Sequence, residues 1–324
     1  MYTIIRPLMN LRHGVLVFLR HALGQRSPQP GQARAGTPAL ALESYGSFAE
    51  FEAAGNGRTV VWRDQRATEA ALIPAGQAAW VDGYCHVCAA PRRFLVDFQY
   101  GTTTEGHRVP NWRERLQCSG CDLNNRMRAC IQIFETVLKP AHDDKIYITE
   151  QTTPVYAHLR QRYPNVIGSE YLDPQAARKP ANSAGLRHED FTALSFPDEH
   201  LDFLLTFDVL EHVPDFQRAL AESFRCLRPG GQLLLTAPFR ADAPHTLVRA
   251  TLREDGGIEH HEAPEYHGNP LDPEGCLCFY HFGWDLLDRL RDEGFTQVRV
   301  LRYWSRDLGY LGMHQLAITA RKPG

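Results

Sequence analysis

The 324-residue sequence has no continuous run of about 18 apolar residues, the least a bilayer-crossing helix needs, so no segment reads as a membrane span. It also has no excess of either charge. Lys+Arg 35 against Asp+Glu 38 leaves a formal charge of −3 and a pI near 6.6, so bulk attraction to nucleic acid or anionic membrane does not organise this chain. No internal repeat is found, and the one biased tract is residues 25–40, a linker rich in Pro, Gly, Gln and Ala. What is present is a globular composition, 43% hydrophobic and 23% charged, long enough for one large domain or two unequal ones. Eight cysteines stand at positions 85, 88, 118, 121, 130, 226, 276 and 278.

Acidic residues are missing before Glu43, so Arg6, Arg12, Arg20, Arg26 and Arg34 are uncompensated. The longest apolar run there, Val15–Leu19, is too short for the core of a signal peptide. Residues 1–40 therefore read as a basic arm and flexible linker. Residues 1–24 fit either a helix lying on a membrane surface or docking on a protein partner, or a fraying helix followed by a tail. Without an export signal the expected location is the reducing cytoplasm, where paired cysteines are metal ligands or redox centres before they are disulfides.

Cys85-His86-Val87-Cys88 and Cys118-Ser119-Gly120-Cys121 are separated by 29 residues. Two such knuckles offer four thiolates for a tetrahedral Zn²⁺, whereas a thioredoxin-like motif would explain only one pair. We expect structural zinc on Cys85, Cys88, Cys118 and Cys121 in a zinc-ribbon-like module over 41–130, with a two-stranded ribbon filling the interval. His86 is expected as a solvated turn residue. Between 85 and 128 seven Arg face four acids, a net +3 that falls to about +1 once a zinc–thiolate centre is counted. That favours a structural or substrate-orienting role over a nucleic-acid platform.

From 131 to 324 strand-like and helix-like stretches alternate, the signature of an α/β layered domain. Strands are expected at 145–149, 165–169, 201–207, 232–238, 297–303 and 314–321. A helix should start at Thr153 as N-cap with Pro154 behind it. Phe216, Leu220, Phe224 and Leu227 share one helix face, and Pro229-Gly230-Gly231 is expected to stop that helix. The block from His188 to Leu235, with the acid before -FPD-, the -VLEHV- run and -LRPGG- ahead of a strand, resembles class I S-adenosylmethionine-dependent methyltransferases of the type 11 group. Some members of that group are similar in layout, with a four-cysteine module and an Arg-rich run such as Asn124–Arg128 ahead of the catalytic domain. The resemblance implies a Rossmann-like doubly wound sheet with its ligand at the carboxyl ends of the strands.

Position by position, the resemblance implies that Glu170 grips the ribose hydroxyls, Asp190 reads the adenine amino group and Phe191 flanks the base. Phe207 and Asp208 would face the sulfonium. The family's Gly-x-Gly loop is replaced by Glu150-Gln151-Thr152-Thr153. Thr152, Thr153 and the helix N-terminus behind them can receive the ligand's carboxylate, and Glu150 its ammonium.

Methyl transfer is an in-line displacement, with a base wanted for an oxygen or nitrogen acceptor. The candidates are His212 and Asp208 in -DVLEH-, and His267 in the insert 239–281, which also holds His245, His260, His261 and His281. Tyr266–Pro270 reads as a turn presenting an imidazole. The -DVLEH- block also resembles the acid-x-x-Glu-His element that holds a divalent ion in ubiquinone-pathway O-methyltransferases. Cys276 and Cys278 are expected as packed thiols. The expected function is methyl transfer to a small-molecule or glycan-type acceptor, without nucleic acid as partner. The alternative is a non-catalytic methyltransferase-like scaffold that binds a partner through the zinc module and basic arm. Nothing in the sequence sets an oligomeric state.

Overall fold

The structure, a computed structural model, describes residues 38–73, 76–104, 106–172 and 185–324. The basic arm and nearly all of the linker lie outside the described residues.

The described chain opens with strand β1 (Leu42–Tyr45) and the 25-residue helix α1 (Phe48–Leu72), whose N-cap Ser47 accepts the Glu50 N–H. Strands β2 (Ala79–Cys85), β3 (Ala90–Val96) and β6 (Gln117–Cys118) form a small sheet. Between the last two, β4 (Thr102–Thr104) and β5 (His107–Val109) make the two-stranded ribbon expected between the cysteine pairs. Helix α2 (Asn125–Ile133) follows, capped by Asn124.

An alternation then begins: β7 (Ile146–Ile148), α3 (Pro154–Arg162), β8 (Val166–Gly168), β9 (Leu201–Phe207), α4 (Phe216–Cys226) and β10 (Leu227–Thr236). The insert folds into short strands β11 (Leu247–Val248), β12 (Ala250–Leu252), β13 (Ile258–His260), β14 (Tyr266–Asn269), β15 (Asp272–Leu277) and β16 (Tyr280–His281). Helix α5 (Asp285–Asp292) and the hairpin β17 (Thr296–Ser305) and β18 (Tyr310–Arg321) close the chain.

Seven strands make one sheet in the order β1-β17-β18-β10-β9-β7-β8. The four strands from β10 to β8 are parallel, and β18 and β1 run against their neighbours. All seven residues of β9 are buried, as a parallel strand covered on both faces requires. Leu204, Leu220, Leu286 and Leu290 pack on one face, and Ile131, Phe134, Ile148 and Phe203 on the other. This is the α/β layering that the alternation predicts and the doubly wound Rossmann-like sheet that the resemblance implies.

The small cysteine-bearing sheet is not a loose appendage. β1 extends the large sheet through the pair Leu42↔Tyr303, and α2, within which position 130 falls, packs under β9. Arg128, fully buried, donates to the carbonyls of Leu308, Gly309 and Leu116 at 2.8, 2.9 and 3.1 Å and lies 3.9 Å over the Phe94 ring. One side chain thus ties the small sheet to the β17–β18 hairpin.

Two local expectations are corrected. Helix α4 ends at Cys226, ahead of Pro229-Gly230-Gly231, which lies inside β10 where the register slips between Leu227 and Gln232. Gly230 takes φ 80° there and its N–H reaches the Lys322 carbonyl at 3.1 Å, so the glycine makes a bulge rather than a helix stop. His267 lies on β14 rather than in a turn, paired with Cys276 of β15.

Candidate active site

The carboxyl ends of β7, β8, β9 and β10 gather most of the expected ligand residues. Past β7, Thr149 donates from its N–H to the Leu205 carbonyl at 3.1 Å and from its hydroxyl to Thr206 Oγ1 at 3.0 Å. Thr153 caps α3 by accepting the Tyr156 N–H at 3.3 Å. The glycine-free loop is held by Glu170: its Oε1 accepts the N–H groups of Gln151 and Thr152, both at 2.7 Å, and the Thr152 hydroxyl at 2.8 Å. Close approach is managed instead by Gly168, where a Cβ would lie 2.5 Å from the Glu150 carbonyl oxygen. Asp190 accepts the N–H and hydroxyl of Thr192 at 2.8 and 2.7 Å, and Phe191 packs into the core beside Tyr147. Phe207 is buried with Ile148 and Leu205.

Glu150 is buried, and among the described residues its Oε1 has no hydrogen-bond partner. Burial pushes its carboxyl up to about 7 against the opposing pull of Arg126. A carboxylate so placed can receive a cation, and it can hold a proton until one arrives.

Asp208 differs from expectation in its company. Two guanidinium nitrogens of Arg113 donate to its two oxygens at 2.6 Å, Thr236 Oγ1 donates at 2.9 Å, and Arg126 Nε lies 3.1 Å away. Burial alone would raise its pKa, but Arg113 and then Arg126 hold the carboxyl well below its usual range. Glu114 accepts from Arg126 and Arg113, making a four-charge group of no net charge. Both arginines come from the cysteine-bearing segment. They are visible in its composition, but Asp208 is 95 positions from Arg113, and nothing local in the sequence links them.

Beyond β9 a single 3₁₀ turn, Leu210–His212, presents Glu211 and His212 to the insert. His212 Nδ1 lies 2.7 Å from the Leu277 carbonyl oxygen and its ring stacks edge-on with His267, centroids 4.9 Å apart. His267 Nδ1 is 3.4 Å from Glu211 Oε1, and its Nε2 is 3.0 Å from Glu265 Oε1. The neighbouring Cys278, and after it Glu211, push His267 up to about 11. Of the other insert histidines, His281 bonds Glu265 at 3.2 Å, while His245, His260 and His261 are exposed. Cys278 is buried, as expected.

The four cysteines of the small sheet meet. Cys85 and Cys121 Sγ are 3.8 Å apart, as are Cys88 and Cys118, and all four lie within 4.8 Å of one another. Zn–S bonds of about 2.3 Å at tetrahedral angles separate sulfurs by roughly 3.8 Å, so the donor set and its spacing fit a zinc ion. His86 is not a solvated turn residue: its Nε2 bonds Glu135 at 2.8 Å, which fastens the first knuckle to the turn after α2.

Residues 152–235 match the methyltransferase domain family. Over 84 residues the chain is 34% identical to a Mycolicibacterium smegmatis protein described as an S-adenosylmethionine-dependent methyltransferase, covering 26% of each chain. Over 129 residues it is 31% identical to demethylmenaquinone methyltransferase from Thermus thermophilus, covering 37% of this chain and 57% of that one. The chain thus spans between about a quarter and just over half the length of these relatives. A solved S-adenosylmethionine-dependent methyltransferase from Mesorhizobium loti superposes with a TM-score of 0.40 at 15% identity, over 63% of this chain and 100% of the other. Strand order and the matched segment together make this a Rossmann-like α/β fold of the class I methyltransferase kind.

Proposed function

We propose that the protein transfers a methyl group from S-adenosylmethionine to an oxygen or nitrogen atom of a small-molecule or glycan-type acceptor. The observation that carries this reading is the match of residues 152–235 to the methyltransferase domain, with Glu150 and Glu170 just past the ends of the parallel strands β7 and β8 and bridged by the Gln151 N–H on Glu170. S-Adenosylmethionine, when bound, supplies the methyl group on a sulfonium leaving group. Glu150 holds the ligand's ammonium with its unpartnered oxygen, and Thr152 and Thr153 face its carboxylate. Glu170 takes the ribose hydroxyls, Asp190 and Phe191 take the adenine, and Phe207 walls the sulfonium end. His212, which bonds the Leu277 carbonyl, is the candidate to orient an acceptor. Cys85, Cys88, Cys118 and Cys121 hold a structural zinc that braces the small sheet against the strand ends.

Calorimetric titration with S-adenosylhomocysteine tests the reading. We expect saturable binding that Asp190→Ala abolishes while circular dichroism is unchanged, and absence of binding at millimolar ligand overturns it. A second reading, a non-catalytic scaffold, is favoured by a specific observation: Glu170 is engaged by Gln151 and Thr152, and Asp208 by Arg113, so protein groups occupy both carboxylates. The same titration decides between them.

A further inference from the structure

We infer that Glu211, His212 and His267 form a binding site for a divalent transition-metal ion of the zinc type, separate from the four-cysteine group. Three observations converge. Glu211 is fully buried, yet among the described residues neither carboxylate oxygen has a hydrogen-bond partner. A buried carboxylate left so costs several kcal/mol unless something else satisfies it, on the order of the penalty for an unpaired buried polar group.

The spacing indicates what satisfies it. Glu211 Oε1 stands 3.4 Å from His267 Nδ1 and 3.6 Å from His212 Nε2. These separations are long for hydrogen bonds, whose donors and acceptors sit at roughly 2.7–3.2 Å. They suit two ligands of one ion, because zinc bonds of about 2.0–2.1 Å at tetrahedral angles hold N and O ligands roughly 3.4 Å apart. The ligand atoms of all three residues lie within 4.8 Å of one another.

The third observation concerns the far side of each ring. His212 Nδ1 faces the Leu277 carbonyl at 2.7 Å and His267 Nε2 faces the Glu265 carboxylate at 3.0 Å. Metal-ligating histidines nearly always donate their other N–H to a carbonyl or carboxylate, which fixes tautomer and orientation. With those N–H groups placed, His212 Nε2 and His267 Nδ1 are the ring atoms aimed at Glu211, and an ion bound there takes the place of the proton that His267 otherwise holds. The backbone holds the cage closed, since the Phe279 N–H donates to the Glu211 carbonyl at 2.8 Å. The ligand set is not the contiguous acid-x-x-Glu-His element, because the Asp208 carboxylate is occupied by Arg113 and Thr236. The insert supplies the third ligand instead. Two imidazoles and one carboxylate leave a tetrahedral ion one position for water or an acceptor oxygen.

The test is metal stoichiometry on the full chain, with Zn²⁺ and Co²⁺ as probes. After incubation with excess Zn²⁺ and desalting, we expect about two ions per chain, falling to about one in Glu211→Gln and in His267→Ala, with the cysteine group still loaded. Co²⁺ titration of the metal-stripped wild type needs no variant: one equivalent should bring thiolate charge-transfer absorption, and another only weak visible bands. A wild type that binds a single equivalent overturns the inference. So does a second equivalent that persists in both variants or carries thiolate absorption. Binding of S-adenosylhomocysteine, measured without added metal, fails or succeeds independently of this outcome.

Discussion

The four-cysteine group and the Glu211–His212–His267 group both bring ligand atoms within 4.8 Å of one another, but the chain builds them in opposite ways. The cysteines arrive as two tight knuckles, each closed within four residues, so the sequence spacing already contains most of the geometry. The second group joins a turn after β9 to a strand of the insert, and only the folded sheet brings them together. Clusters of the first kind are legible as motifs. Clusters of the second kind become visible through a buried group with nothing to bond.

The largest way to break this comparison is Cys118→Ser. Structural zinc sites contribute on the order of 10 kcal/mol of apparent folding energy. The variant should therefore lose its cysteine-bound ion, melt markedly earlier in thermal denaturation, and keep the other ion only while the large sheet stays folded. Next comes the tie between the regions. Arg128→Met leaves three carbonyls without their donor and, at about 1–3 kcal/mol for each unsatisfied group, should cost roughly 3 kcal/mol or more in urea unfolding. A cost below about 1 kcal/mol would mean that the small sheet is attached mainly by apolar packing.

The smallest effect concerns Glu150, a buried carboxylate outside both groups. Its folded-state value of about 7 lies above the ordinary 4.5, so the native state binds this proton more tightly than the unfolded chain. Stability should therefore fall as pH rises from about 4.5 to about 7, by at most about 3 kcal/mol, and stay low above that window. Glu150→Gln should flatten that slope, matching the wild type at low pH and exceeding it at pH values above about 7 in denaturant midpoint. An unchanged slope would assign the pH dependence elsewhere.

How far the sequence foretells the molecule follows the same division. The apolar run of β9, the Thr153–Pro154 start of α3 and the β4–β5 ribbon are local signals, and each appears where it is expected. The Pro-Gly-Gly bulge in β10 misleads because the same residues suit a helix end and a strand irregularity, and the partner strand β18 decides between them. The pairing of β1 with β17, the reach of Arg113 to Asp208 and the exposure of His260 and His261 depend on distant chain segments. The close approach that needs a glycine falls at Gly168 rather than in the loop after β7, and only the packing against Glu150 and Tyr156 reveals it.

The Arg113–Asp208 pair has an electrostatic consequence for the proposed activity. A sulfonium cation approaching the end of β9 meets a carboxylate whose charge is already shared by a guanidinium from another part of the chain. On the proposed activity, the cysteine-bearing segment would thereby neutralise the carboxylate beside the place where the sulfonium's charge is consumed. That influence would be exerted at a distance from its four cysteines, through a fixed counter-charge.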